Sequence, residues 1–228
     1  MKLKVFADRG SQPARAVLIF CKANGIEFEE VQIQLAKGEH KSPEYEAINP
    51  MKQVPAIEVD GKFRLFESHA ILRFLATAFP GIAEHWYPAD VFKRAQIDSA
   101  LDWHHSTIRR GSVGVIHNTT LAPLFGRPLD PQAAAEAEKL LSASLAKIES
   151  FWLKGDGPFL LGNSEPSMAD LSLVCEIMQL ELGFECSLWM RSFRNGYWTH
   201  MRKFGNGLKI QGRQYNLILM KFMLPSSR

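Results

Sequence analysis

A serine stands where the chain leaves its first strand-like run. Leu3-Lys4-Val5-Phe6 gives way to Asp8-Arg9-Gly10-Ser11-Gln12-Pro13, and Pro13 suits the first turn of a helix. A hydroxyl at such a turn can donate to an anion, and the positive end of the helix favours the same anion. A second segment runs from Asn49-Pro50-Met51-Lys52-Gln53-Val54-Pro55-Ala56 on to Phe66-Glu67-Ser68-His69-Ala70-Ile71. It pairs a Val-Pro peptide with an acidic-serine step at another helix start. Together the segments describe a site that binds a small peptide and activates its thiol. Lowering a thiol pKa of ~8.5 by about two units needs roughly 2.7 kcal/mol of preferential stabilisation. A hydroxyl hydrogen bond to an anion supplies about 1.5–3 kcal/mol, and the helix end adds several tenths. A lone serine before a helix is also what an N-cap requires, so Ser11 alone carries both readings.

The elements that must position these residues follow from local pattern. After the strand at 3–6, Val17, Leu18, Phe20 and Cys21 lie on a helix that breaks at Asn24-Gly25. A second strand is expected near Phe28–Ile33, and Gly38, Ser42 and Pro43 mark a loop and a short helix. Ile57-Glu58-Val59 and Lys62-Phe63-Arg64-Leu65-Phe66 alternate on either side of Asp60-Gly61, a strong hairpin signal. A helix then starts at Glu67-Ser68 and carries Ile71, Leu72, Phe74 and Leu75. The order is β-α-β-α-β-β-α within about 78 residues, a small sheet covered by helices.

Phe79–Pro88, with Pro80, Gly81 and Pro88 and no clear period, reads as a linker. Beyond it the pattern is helical: Ile97, Leu101, His104 and Ile108 recur at helical spacing, as do Leu141, Leu145, Ile148 and Trp152. Pro123, Gly126, Pro128 and Pro131 break the chain between them. Ser167-Met168-Ala169-Asp170 has the form of a capping box ahead of Leu171, Leu173, Val174, Ile177 and Met178.

At 228 residues and 46% hydrophobic content the chain can bury a sizeable core. Cys21, Cys175 and Cys186 are odd in number and far apart, so they offer neither a disulfide framework nor a redox pair. The first twenty residues lack a basic start followed by an apolar run, so neither a signal peptide nor an anchor is expected. A reducing, cytoplasmic setting follows. His104 and His105 are adjacent, point to different faces and have no partner at metal-ligand spacing, so no metal is expected. The net charge of +3 is unevenly placed: residues 1–182 carry 19 Lys and Arg against 23 Asp and Glu, and 183–228 carry 8 against 1.

On the Ser11, Val54-Pro55 and Glu67-Ser68 segments, with Lys4-Val5-Phe6-Ala7-Asp8-Arg9 and Leu101-Asp102-Trp103-His104-His105, residues 1–182 resemble the glutathione transferases, most closely a plant-like theta class. The resemblance implies a thioredoxin-like α/β domain at 1–78, a linker at 79–88 and an all-α domain at 89–182. It implies a catalytic Ser11, because the tyrosine of rival classes is replaced by Phe6 on the first strand. It also implies a glutathione site made of Ser11, Gln12, His40, Lys41, Gln53, Val54, Pro55, Glu67 and Ser68. In that site a cis Pro55 turns the Val54 backbone toward the cysteinyl residue. Ser68 and Glu67 take the γ-glutamyl carboxylate and ammonium, and His40, Lys41 and Gln53 face the glycyl carboxylate. Arg109 is the family-based candidate for the electrophile side. Glutathione is then a co-substrate and no prosthetic group is expected.

The resemblance ends near Leu182. Gly183–Arg228 forms a divergent basic tail with glycines at 196, 205, 207 and 212 and no sustained period, read as an altered gene end in preference to a nucleic-acid or membrane-binding extension. The expected activity is transfer of the glutathione thiolate to small hydrophobic electrophiles, or reduction of organic hydroperoxides, by a homodimer. The alternative is a non-catalytic glutathione-binding or scaffold protein whose substrate pocket lacks its usual closing segment.

Overall fold

A computed structural model describes residues 1–181, which divide into two compact units, Met1–Ala83 and a second beginning at Glu84. The tail from residue 183 lies outside the described residues. The first unit is a four-stranded mixed sheet with order β2-β1-β3-β4, where β1 is Leu3–Ala7, β2 Glu29–Gln32, β3 Ala56–Val59 and β4 Phe63–Phe66. β1 and β2 are parallel, with Phe6 opposite Val31. β3 runs antiparallel to both β1 and β4, and Ala56 lies opposite Phe6 on one side and Phe66 on the other. Asp60 and Gly61 both take positive φ, 51° and 69°, as the tight turn between β3 and β4 demands of them.

Alternation along the strands assigns the faces. Val5 and Ile57, paired across strands and fully buried, share one face with the packing of α1 (Gln12–Ala23) and α3 (Ser68–Ala78). Phe6 and Ala56 belong to the other face, clustered with Ile33, Val54 and Tyr45, the last from the short α2 (Pro43–Glu46).

The register also decides where the loops go. Phe6, Ala56 and Phe66 are level across the sheet, so the residues after β1, before β3 and after β4 leave it at one end. Because β2 is parallel to β1, the loop after β2 emerges there as well. Loops 8–11, 33–41, 53–55 and 67–68 are therefore neighbours. They contain every residue expected at the glutathione site except Gln12, which is the next residue on.

The second unit is helical: α4 (Val91–Trp103), α5 (Arg109–Ile116), α6 (Pro131–Lys147) and α7 (Met168–Met178). The expected helix through Ile97, Leu101, His104 and Ile108 forms, and all four are buried, but a π-turn at His104–Ile108 separates α4 from α5. A further π-turn, Ile148–Trp152, ends α6. α5 and α6 approach closely because α5 carries Gly111, where a Cβ would lie 2.7 Å from the Leu141 amide nitrogen. Every residue of α7 is buried, and the Ser167–Asp170 capping box opens it, Asp170 also accepting from the Leu160 amide at 2.8 Å. The stretch read as a linker contains a single 3-10 turn at Glu84–Trp86, with Trp86 buried. Among the described residues no helix is long and apolar enough to cross a membrane.

Candidate functional site

Ser11 occupies the N-cap position of α1 and is 9% exposed, yet its side chain makes no capping hydrogen bond. The backbone does the holding: the Ser11 amide donates to the Asp8 carbonyl and its carbonyl accepts from the Arg15 amide, both at 2.9 Å. Of the two readings of a lone serine, the capping one is not used, and the hydroxyl remains available for an anion at the positive end of α1.

Residues that sequence reasoning did not single out hold this turn. The Asp8 carboxylate accepts from the Gly10 amide at 2.7 Å and the Leu35 amide at 2.9 Å, tying the loop after β1 to the loop after β2. The Asp-x-Gly spacing was its local signal. Arg15, 1% exposed, donates to the carbonyls of Arg9 and Gly10 from inside α1. Its signal was a cation inside the otherwise apolar Ala14-Arg15-Ala16-Val17.

His40 and Lys41 lie in a 3-10 turn, Glu39–Lys41, in the loop after β2. The His40 Nδ1 is buried and has no hydrogen-bond partner among the described residues. Burial first, and then the Lys41 charge, lower its pKa below the ordinary value, against an opposing pull from Asp8. His40 is thus held neutral and able to donate or accept, while exposed Lys41 supplies the positive charge.

The Val54–Pro55 peptide is cis. The Gln53 carbonyl, immediately before it, accepts from the Tyr45 hydroxyl at 2.6 Å and from Asn49 Nδ2 at 2.8 Å. Asn49, 1% exposed, uses its Oδ1 to take the Met51 amide at 3.0 Å, so one side chain shapes the whole turn. Burial pushes the Tyr45 hydroxyl up to about 12, keeping it a proton donor. Asn49-Pro50 was legible as a turn; nothing local marked Tyr45.

Glu67 is exposed and takes φ 68° and ψ 112° at the N-cap of α3, with no capping hydrogen bond from its side chain. A non-glycine residue in that region costs on the order of 1–3 kcal/mol, and such strain clusters at ligand-binding positions. Ser68 is the first residue of α3 and half-buried, where the free amides of a helix start favour a carboxylate.

Arg109, the electrophile-side candidate, lies in the helical unit, where its Nη1 donates to Glu176 Oε2 at 2.7 Å. It is not the plain surface cation that a charged residue on a long helix suggests. Glu176 is 1% exposed on α7; Ser112 Oγ and Gln179 Nε2 donate to its other oxygen, and His104 Nε2 stands 3.6 Å away. Burial pushes the Glu176 carboxyl up, but His104, the Arg109 charge and the Ser112 hydroxyl outweigh it and hold the pKa down at about 2. An acidic residue in the apolar run Leu171–Met178 was the signal for this network.

A thioredoxin-like sheet unit and an all-helical unit, with a serine at the first strand-to-helix turn and a cis-proline before β3, define the glutathione transferase fold. The family described as glutathione S-transferase, N-terminal domain, matches residues 1–77. Glutathione S-transferase T1 of Arabidopsis thaliana is 62% identical over 182 residues, covering 80% of this chain and 74% of the relative. Glutathione S-transferase T2 of the same plant is 59% identical over 182 residues, and the match spans 31% of that longer protein. The crystal structure of human glutathione transferase theta-2, in complex with glutathione and an unknown ligand, superposes with a TM-score of 0.80 at 33% identity, covering 97% of this chain and 89% of that one. The chain belongs to the theta-class glutathione S-transferases.

Proposed function

We propose that this chain is a glutathione transferase whose Ser11 hydroxyl donates to the glutathione sulfur and keeps it as thiolate. The observation that carries the reading is the sheet register, which gathers four loops at one end with the Ser11 hydroxyl not spent on capping α1. From the β4 edge to the β2 edge is three strand spacings, about 14 Å. An extended tripeptide spans about 10 Å, and the γ-linkage lengthens it. The order of loops then matches the order of groups in glutathione. Glu67 and Ser68 at the β4 side take the γ-glutamyl ammonium and carboxylate. Ser11 and the Val54 backbone beside Pro55 take the cysteinyl residue, with Gln12 next to Ser11. Gln53, His40 and Lys41 take the glycyl carboxylate.

The thiolate attacks an electrophilic carbon, forming a carbon–sulfur bond as the leaving group departs with its electron pair, or it attacks a hydroperoxide oxygen, forming a sulfur–oxygen bond as the oxygen–oxygen bond breaks and the alkoxide leaves to be protonated to the alcohol. A second glutathione then converts the sulfenic acid to glutathione disulfide and water. The Arg109 guanidinium, already oriented by Glu176, is the cation assigned to the electrophile side. We further assign the protein to a reducing cytoplasmic setting, supported by Cys21 and Cys175, both buried and neither in a disulfide, and to a homodimer on the family resemblance.

The test is retention of the full chain on immobilised glutathione, followed by turnover with haloalkane, hydroperoxide and chloronitrobenzene substrates. Retention with turnover of any of the three supports the transferase. Retention without turnover replaces it with a glutathione-binding scaffold, and no retention removes the glutathione assignment.

A further inference from the structure

Glu176 receives donors on both carboxylate oxygens and from two elements. Its Oε2 accepts from Arg109 Nη1 at 2.7 Å, and its Oε1 accepts from Ser112 Oγ and from Gln179 Nε2, the latter at 2.6 Å. Arg109 and Ser112 are three residues apart on α5; Glu176, on α7, is three residues ahead of Gln179, which opens the 3-10 turn Gln179–Glu181. Residues at that spacing share a helix face. Ser112, Glu176 and Gln179 are all buried, whereas the Arg109 side chain keeps 27% of its surface exposed. The carboxylate is fixed from inside the unit, and the guanidinium is fixed by the carboxylate.

The Gln179 amide can sit only one way round. Its Nε2 donates to Glu176; turned over, its Oε1 would face an ionised carboxylate with no proton between them. The observed orientation leaves Oε1 buried with no hydrogen-bond partner. An unpaired buried acceptor is a standing cost that an apolar side chain at 179 would not carry. In return the amide engages the oxygen beside the one that holds Arg109. A glutamate carboxylate otherwise turns broadly about its last torsion, and bonds to both oxygens stop it.

Resting on the assignment of Arg109 in the function above, we propose that Gln179 is a positioning residue: by locking the Glu176 carboxylate it fixes the aim of the Arg109 guanidinium at the electrophile side. Arginine has among the largest rotamer freedom of any side chain, and a cation ordered before the electrophile arrives needs no reorganisation at the moment of reaction. All four members of the cluster precede residue 183, so the hold on Arg109 is complete before the divergent tail begins.

The test is a double-mutant cycle on the full chain, with whichever of the haloalkane, hydroperoxide and chloronitrobenzene substrates it turns over. Gln179→Met keeps the length of the side chain and removes the donor. It should lower kcat by about three- to tenfold with the KM for glutathione unchanged. In the Arg109→Ala background the same change should have no effect, because no guanidinium is left to aim. A merely structural role gives the same loss in both backgrounds, and that result would overturn the positioning role. A Gln179→Met rate equal to that of the unmodified chain, with Arg109→Ala slow, overturns it too and leaves the Arg109 assignment standing. An Arg109→Ala rate equal to that of the unmodified chain removes that assignment and the positioning role together, and absence of turnover in the unmodified chain removes the transferase reading with them. Should Gln179→Met fail to fold, Gln179→Asn, which keeps the amide but shortens its reach, is carried through the same cycle and decides by the same outcomes.

Discussion

Arg15 donates from Nη1 to the Gly10 carbonyl at 2.9 Å, one residue ahead of Ser11. The same nitrogen reaches the Arg9 carbonyl at 3.2 Å. A cation that is 1% exposed is costly unless its hydrogen bonds are satisfied, and here the backbone of the turn helps to satisfy them. The turn is held from inside by Arg15 and from the neighbouring loop by Asp8. In the function proposed above, that rigidity lets the Ser11 hydroxyl be aimed at a sulfur without costly ordering when glutathione binds.

Ser11→Ala should lower turnover by about ten- to a thousandfold while glutathione affinity changes little, because the hydroxyl acts mainly on the thiolate. α1 itself should be unaffected, since Ser11 contributes no side-chain cap to it. Thiolate absorbance of the bound peptide and steady-state rates measure the effect together, and an unchanged rate at neutral pH removes Ser11 from the mechanism.

Glu67 offers a test in which stability and binding move in opposite directions. Glu67→Gly relieves the positive φ of 68° and should raise stability by about 1 kcal/mol, while glutathione binding weakens as its ammonium loses a carboxylate. Ser68→Ala should weaken binding without the gain in stability. Urea midpoints and calorimetry separate the two effects; wild-type affinity in both variants would defeat the assigned pose.

Asn49→Ala removes a donor to the Gln53 carbonyl and the acceptor of the Met51 amide in one change. Both bonds lie at a residue that is 1% exposed, so the expected loss is about 1–3 kcal/mol. Glutathione affinity should fall as well, because Gln53 and Val54 lose their support. A denaturation midpoint equal to wild type would show that Tyr45 alone holds the turn.

Acid should loosen the helical unit through Glu176. Its carboxyl titrates at about 2 in the folded protein against an ordinary 4.5, a depressed value. The stability it contributes is therefore present above the unfolded pKa and is lost as pH falls from about 4.5 toward 2. Trp86, Trp103 and Trp152 all lie in this unit, so tryptophan fluorescence during acid titration reports it. Glu176→Gln should be less stable at neutral pH and should lose less on acidification over that window; an unchanged acid profile would exclude Glu176 as its source.

The sequence by itself determined the features that depend on neighbours along the chain. Asp60-Gly61 dictated its hairpin because two positive φ angles are cheap at those residues, and Ser167-x-x-Asp170 dictated a helix start because its hydrogen bonds close within one turn. Pro13 and the apolar residues after it placed Ser11 at a helix opening, and hydrophobic period placed Ile97, Leu101, Leu141 and Leu145 in a helical core. The tertiary structure alone decided the rest. The strand order β2-β1-β3-β4 gathered four loops that are up to about sixty residues apart in the chain. It left the Ser11 hydroxyl unspent on its own helix, a matter of side-chain geometry that both readings of the residue permit. Asp8 reached Leu35 across 27 residues, and Arg109 reached Glu176 across 67. Each of these is a polar contact between distant segments, with an energy that exists only after the intervening chain has folded, so no local pattern could announce the partner.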